Sequence, residues 1–448
     1  MTESASSLNY SQAQLADLAT QVLDLARRHG ATAAEAEVSE GIGQAVSVRL
    51  GEVETIEYTG DKGVGVTVYL GQSKGHASSS DFSSAALEDT VKAALNIARF
   101  TAADPFAGLA DPARLATEFP DLSLCHRWDL PVEDAIALAC ATEAAGQAVD
   151  NRVNNSEGAS VNTQVSQFVY ANSHGFCHGH QGSRHSLSAT LIAEQNGDMQ
   201  RDYWYSSARH PEDLLDAATV GRIAGERAVR RLGARRVKTG QYPVLFEAPL
   251  AAGLIGHFVS AVSGGALYRK MSFLVDSLGQ QVFAPRVSID EDPFIPRGIA
   301  SGAFDNEGVA TCARSVVAQG VVNGYFLSSY SARKLGMTTT GHAGGCHNLH
   351  VHATGPDFAG LLQQLGTGLV VTELLGHGVN TVTGDYSRGA AGFWVENGVL
   401  AYPVEEITIA GNLKDMFRDI AAIGSDQLVR GATRCGSILL SRMTVAGE

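Results

Sequence analysis

Apolar residues first recur at helical spacing, with Leu15, Leu18, Val22 and Leu25 on one stripe behind Ser11-Gln12-Ala13-Gln14, the pattern of a capping box. Arg27 and Arg28 suit the end of that helix, and Gly30 supplies its stop. From Glu35 to about Ser80 the period falls to two, as in Val46-Ser47-Val48-Arg49-Leu50 and Val64-Gly65-Val66-Thr67-Val68, punctuated by Gly41, Gly51, Gly60 and Gly71. That alternation predicts an antiparallel meander. A helix follows from about Ser84 to Ala98, with Leu87, Val91 and Leu95 on one face. Pro105, Pro112, Pro120 and Pro131 mark residues 101–131 as an extended connection. An Ala-rich helix spans about Val132 to Val149, more strands run to about Glu194, and a helix is expected from Pro211 to about Leu232. Gly233 to Gly240 then separates that helix from a new strand, Tyr242 to Phe246.

Beyond residue 240 the chain turns to Gly, Val, Ser and Thr in short strands, which predicts a predominantly β domain, barrel- or sandwich-like. The fold class is therefore α+β in two domains: a mixed N-terminal domain with antiparallel strands over 1–235, and a β-rich domain over 236–448. No repeat of solenoid length is present.

Composition narrows the function. The 448 residues are 44% hydrophobic and 18% charged, a globular balance, and the net charge of −14 disfavours nucleic-acid binding. The basic run Arg222, Arg227, Arg230, Arg231, Arg235, Arg236 and Lys238 is read as a solvated helix face and its C-terminal end. No apolar run approaches the ~18 residues that span a bilayer. Met1 to Asn9 lacks the basic start and apolar centre of a secretory leader. The six cysteines include no Cys-x-x-Cys pair, which predicts reduced thiols in the cytoplasm.

Candidate chemistry gathers at histidines. His342, Cys346, His347, His350 and His352 fall within eleven residues, and a strand over 349–353 would put His350 and His352 on one face. His174, Cys177, His178 and His180 form a second set. Either set has spacing that could take a transition metal, but spacing alone is a weak signal, so solvent-facing or hydrogen-bonded loop histidines are the favoured reading, and no carboxylate stands nearby in sequence to act as a base. Glu373 and His377, four apart, would face the same way on a helix, where Glu373 could polarise His377; a short core helix fits the same residues. Gly71-Gln72-Ser73-Lys74-Gly75 matches a nucleophile elbow in letters, yet it precedes no helix and is read as a hairpin turn.

Long segments carry a more specific signal. Ala332 to Gly345 (ARKLGMTTTGHAGG), Gly384 to Gly398 (GDYSRGAAGFWVENG) and Ile407 to Lys414 (ITIAGNLK) closely resemble the PmbA/TldE branch of the TldD/PmbA family, as do Asn155-Ser156-Glu157-Gly158 and Gln200-Arg201-Asp202-Tyr203. The resemblance implies a cytoplasmic two-subunit peptidase acting on small or unfolded polypeptides. In it the TldD subunit carries a His-Glu-x-x-x-His helix and a downstream Cys as zinc ligands. The PmbA/TldE subunit shares the fold and contributes structure and part of the substrate chamber.

Matched to that pattern on Gly256-His257, the first ligand position holds Ala252, the general-base position holds Gly253, and only His257 remains; Cys435 falls at the third ligand position. The resemblance thus implies no catalytic residue in this chain, residual ligand positions at His257 and Cys435, and zinc in a TldD-type partner. Arg333, His342, His347, Asn348, Glu373 and His377 are expected to line the substrate chamber or the subunit interface. The expected partners are that subunit and a peptide, with no nucleic acid and no membrane, and a homodimer when the chain is alone. Two readings of other classes stand beside it. One is an independent metal-dependent hydrolase built on the His342–His352 cluster or on Glu373 and His377; the other is a non-enzymatic binding or regulatory protein.

Overall fold

The computed structural model describes residues 7–448, so residues 1–6 of the leader reading lie outside the described part. The chain divides into two compact units, residues 1–229 with 303–310, and residues 230–302 with 311–448. The short excursion 303–310 belongs to the first unit although it lies deep in the second half of the sequence; Leu115 bridges to Val309, and Ala116 N–H donates to the Gly308 carbonyl. Local sequence pattern carries no trace of such a return.

The first unit is one six-stranded antiparallel sheet. Its strands are β1 (Ala33–Arg49), β2 (Glu52–Leu70), β3 (Ser73–Ser79), β4 (Asn155–Asn172), β5 (Cys177–Gln195) and β6 (Asp198–Ala208), in the order β3-β2-β1-β4-β5-β6. The expected meander forms β1 to β3, and Gly71-Gln72 is the turn between β2 and β3. Alternate residues of β1 point to one face, where Ala34, Ala36 and Val38 pack with α1 (Gln12–Arg28) and α2 (Ser84–Phe100). Ser11 and Gln14 complete the capping box that starts α1. Further along the sheet, α3 (Val132–Gln147) lies against β1 and β4.

The helix expected from Pro211 is shorter. Pro211–Asp213 is a separate 3-10 turn, and α4 is Ala217–Arg230, because Asp216 takes the Thr219 N–H at 2.8 Å and opens the helix there. Helices α3 and α4 touch through glycines. A Cβ at Gly221 would lie 1.9 Å from the Thr142 carbonyl oxygen, and one at Gly225 would lie 2.3 Å from that of Gly146.

The basic run, through α4 and just beyond it, is mostly exposed as read: Arg222, Arg230, Arg235, Arg236 and Lys238 face solvent, while Arg227 and Arg231 are half-buried. Arg227 pairs with buried Asp202, Arg231 with Glu373 and Arg236 with Glu406, while Arg235 stacks on Tyr402. The Arg222–Glu226 pair, along the surface of α4, and the Arg236–Glu406 pair both stand exposed.

The second unit holds two sheets. In the first, β7 (Gly240–Phe246), β12 (Gly368–Leu375), β13 (Asp385–Glu396), β14 (Val399–Asn412) and β18 (Ile438–Ala446) close into a barrel through β14–β18 pairing, with β15 (Ile420–Ile423) added to β18. This resolves the barrel-or-sandwich alternative in favour of a barrel. Successive residues alternate across its wall: Leu245, Val370 and Phe393 pack under α8 (Phe358–Leu365), while Val244, Phe246, Leu369 and Trp394 join the larger core. That core also takes the buried face of α5 (Ala248–Ala261), which leaves β7 directly. The second sheet runs β10-β9-β8-β11-β17-β16, built from β8 (Ile289–Asp292), β9 (Arg314–Ala318), β10 (Val321–Val322), β11 (Asn348–Val351), β16 (Leu428–Arg430) and β17 (Thr433–Cys435). Short helices α6 (Gly264–Tyr268), α7 (Ser329–Leu335) and α9 (Leu413–Arg418) complete the unit. Among the described residues no helix is long and apolar enough to cross a membrane.

Two glycine substitutions have opposite expected signs. Gly221→Ala drives a methyl group into backbone and should cost on the order of 1–3 kcal/mol. Gly253→Ala adds a methyl where nothing lies within 4 Å, on the exposed side of α5, and should stabilise by up to about 1 kcal/mol. Thermal unfolding of the two variants against the parent chain checks both signs.

Candidate functional site

Helix α5 carries three of the four positions singled out from the resemblance, Ala252, Gly253 and His257. Its apolar residues Ala251, Leu254, Ile255, Phe258 and Ala261 are buried, which turns Ala252, Gly253, Gly256 and His257 toward the opposite, accessible face. A Cβ at Gly253 or Gly256 would meet nothing within 4 Å, so there is open space on this face for a side chain. The His257 ring meets Tyr386 edge-on at 5.9 Å. Burial, with the nearby Arg388 charge, lowers the His257 pKa and keeps the imidazole neutral. Burial also pushes the Tyr386 hydroxyl up to about 12.

Cys435, on β17, is completely buried, with its Sγ 3.2 Å from the Gly436 carbonyl oxygen. Burial, and then the charge of Asp426, push this thiol far above its ordinary value. A zinc ligand needs the reverse environment, one that favours thiolate.

The histidine-rich segment 342–352 splits into two unrelated arrangements. Glu291, from β8, has a side chain with 0% exposure, and His342 one with 1%. His342 Nε2 lies 2.9 Å from both Glu291 oxygens, Arg314 Nε donates to Oε2 at 2.7 Å, and the His347 N–H donates to Oε1 at 2.7 Å. Burial alone would raise the Glu291 carboxyl, but its bonds and charge contacts with His342 and Arg314 outweigh this and hold it at about 2. Burial lowers the His342 pKa, the Glu291 bond opposes, and Arg314 adds to the lowering, so His342 stays neutral beside an ionised carboxylate. The His347 ring nitrogens face the carbonyls of Ala300 and Gly341, and buried Asn348 bonds to Asp292, Ala300 and Ser301. Arg333 sits half-buried on α7.

His350 and His352 do come together, with ring centroids 4.4 Å apart. Their carboxylate neighbour is Asp290, which lies 2.6 Å from His352 Nε2. Asp290 and Glu291 correct the expectation that no acid stands near this cluster; β8 pairs antiparallel with β11 and brings them from some fifty residues upstream. Their only sequence mark is the run Asp290-Glu291-Asp292, which says nothing about its pairing partner.

Glu373 and His377 are not on a helix. Glu373 lies on β12 beyond a register shift after Val371 and pairs with Arg231, while His377 is exposed past the end of that strand. The β-branched run Val370-Val371-Thr372 favours the strand once a neighbour on each side is present to pair with it. In the first unit, His178 stacks on Phe119 and His180 lies edge-on against Phe168, while His174 reaches the Ala110 carbonyl. Among the described residues no three His, Cys, Asp or Glu side chains are placed to hold a metal ion.

Models of the PmbA/TldA metallopeptidase domains match the chain in three stretches: domain 1 over 34–98, the central domain over 125–232 and the C-terminal domain over 239–447. Metalloprotease PmbA of Escherichia coli O157:H7 is 49% identical over 415 residues, 93% of this chain and 92% of that protein. The chain belongs to the PmbA/TldD metallopeptidase family. A PmbA homolog from Haemophilus influenzae is 45% identical over 98% of both chains, whereas the TldD homolog of the same organism is 24% identical over 84% of this one, so the chain lies on the PmbA branch. TldE from Thermococcus kodakarensis shares the fold, with a TM-score of 0.85 at 18% identity over 96% of this chain and all of that one. A Bacteroides thetaiotaomicron protein of known crystal structure matches with a TM-score of 0.91 at 28% identity, covering 96% of this chain and 98% of that one. The first two family domains share a single sheet here, since β1 of one pairs along β4 of the other.

A zinc peptidase holds its metal with neutral imidazoles and a thiolate or carboxylate, and a Glu takes the proton of the bound water. The residues at the matching positions do not fit that ion. Ala252 and Gly253 offer no donor and Cys435 is held as a thiol, which leaves His257, kept neutral by burial and the Arg388 charge, as a single ligand.

The Glu291 cluster predicts acid sensitivity in the second unit. Both groups have folded pKa values below their ordinary ones, so their contribution is full above those values and is lost as pH falls, first below about 6.5 for His342 and then from 4.5 toward about 2 for Glu291. Replacing Arg314 by Met leaves a buried carboxylate unpaired and should cost roughly 3–5 kcal/mol. Urea unfolding as a function of pH checks both, and Glu291→Gln should remove the lower of the two acid steps.

Proposed function

We propose that this chain is the non-catalytic, PmbA/TldE-type subunit of a two-subunit zinc peptidase that processes small or unfolded peptides, with a TldD-type partner supplying both the zinc and the general base. One observation supports the reading: Ala252 and Gly253, which the resemblance matches to the His-Glu pair, stand on a face of α5 with open space for a side chain. With no base to take a proton from water, this chain's contribution is structural, as part of the wall that encloses the substrate. The six free cysteines fit a reducing compartment, in line with a cytoplasmic location.

An independent hydrolase on the His342–His352 segment is the weaker reading. His342 is shielded and tied to Glu291 and Arg314, and His347 and Asn348 are tied to backbone carbonyls, so none is free to take a metal or to activate water. The acid–imidazole pair once offered by Glu373 and His377 depended on a helix that is not there.

The expected result is that the purified chain carries no stoichiometric zinc and hydrolyses no peptide. Mixing with a TldD-type subunit should yield a complex whose zinc follows that subunit and whose peptidase activity exceeds that of either half. Metal analysis by mass spectrometry and a fluorogenic peptide assay on each half and on the mixture measure this. Stoichiometric zinc with turnover by this chain alone would refute the proposal.

A further inference from the structure

The first unit contains a groove along β5 that the zinc chemistry does not involve. Strand β5 pairs with β4 from Cys177 onward, but β6 joins its other edge only from His185. Before that point the outer edge meets the 119–126 segment at one place, where the Ser183 N–H donates to the Leu124 carbonyl at 2.9 Å and the Ser183 hydroxyl receives the His126 N–H at 2.7 Å. Ladder groups alternate in direction along a strand. Because Ser183 N–H points outward and the β4–β5 register is unbroken here, the N–H and C=O of Gly179 and Gln181 point outward too. They have no hydrogen-bond partner among the described residues.

On the near side of Leu124 the segment swings away from β5 and leaves a cavity of about 400 Å³ between Phe119, Leu122, His178, His180 and Phe304. The Phe119 ring stacks on His178 and meets Phe304 edge-on at 6.0 Å, and His180 also lies edge-on to Phe304. Phe119 is 38% exposed, so this wall can be reached from solvent. Burial, helped by Arg209 and His178, pushes His180 down to about 4, so its imidazole is uncharged at neutral pH. An unpaired strand edge beside an aromatic cavity is the pair of features that strand-addition sites combine: main-chain bonds give affinity, and a pocket selects alternate side chains.

We propose that this groove binds an extended peptide as an added strand on β5, with one aromatic or aliphatic side chain seated between Phe119, His178 and Phe304. The peptide's main chain bonds to Gly179 and Gln181. Its side chains alternate in direction, so every second one faces the cavity, and the aromatic walls disfavour a charged one there. The choice of a peptide ligand rests on the function proposed above. The binding itself involves this chain alone and is measured without zinc or a partner, so its failure is distinct from failure of the two-subunit reading.

The probe is an end-blocked, fluorescein-labelled Thr-Val-Phe-Val-Thr pentapeptide, titrated against the full chain by fluorescence anisotropy. Saturable binding is expected, weakened roughly tenfold or more when the amides flanking Phe are N-methylated or when Phe is replaced by Asp. Gln181→Pro removes the outward N–H without touching the β4 ladder, although it also loses the Gln181 side-chain bond to Gln167; Phe119→Ala opens the cavity wall. Each should weaken binding by a similar factor, with thermal unfolding showing that the chain still folds. The proposal is overturned if the pentapeptide does not bind at millimolar concentration, or if both folded variants bind it like the parent. It is overturned equally if phenylalanine amide alone binds as tightly, since that marks a small-molecule cavity instead of a strand site.

Discussion

Glu291 carries a charge in the interior of the second unit, so its oxygens have to be met by protein. Arg314 from β9, His342 and the His347 N–H do this together, and in doing so they tie β8, β9 and the 341–347 loop into one arrangement. Removing any partner would leave a buried charge without compensation, which is far more costly than the intact cluster is stabilising. The loop that follows α7 is held in place by this requirement, and the position of Asn348 at the head of β11 follows from it.

The same requirement decides which histidines are available for chemistry. A metal or a water needs an imidazole with a free lone pair, and His342 is committed to Glu291 and Thr340. The accessible face of α5, with Ala252, Gly253 and His257, stands apart from that cluster. There the helix is retained because its other face is needed: Leu254, Ile255 and Phe258 fill the core beside the barrel wall. Packing of that face fixes the backbone of α5 whatever side chains stand on its accessible face.

Much of this was legible in the residues. The capping box at Ser11 and Gln14, the period-two run through β1 to β3, and the turn at Gly71 are local signals, and the elements form where those signals stand. Short apolar runs are a different matter. Leu369-Val370-Val371 reads as part of a short helix, but the chain makes it a strand because β7 and β13 offer ladders on both sides. In the basic run, Arg227 and Arg231 are the two that the local pattern misplaces, because their partners, Asp202 and Glu373, lie in other elements.

The sequence by itself determined the family, the two-part α+β architecture, and the absence of a His-Glu pair at Ala252 and Gly253. Each rests on residue identity or on local period, which need no knowledge of the fold. Tertiary structure alone decided what surrounds those residues. It set the guanidinium near His257, the burial of Cys435, the acids that meet the 342–352 histidines, and the return of residues 303–310 to the first unit. The reason is physical: burial, charge and hydrogen-bond partnership are properties of groups brought close in space, and strand pairing brings them from distances along the chain that no local pattern records.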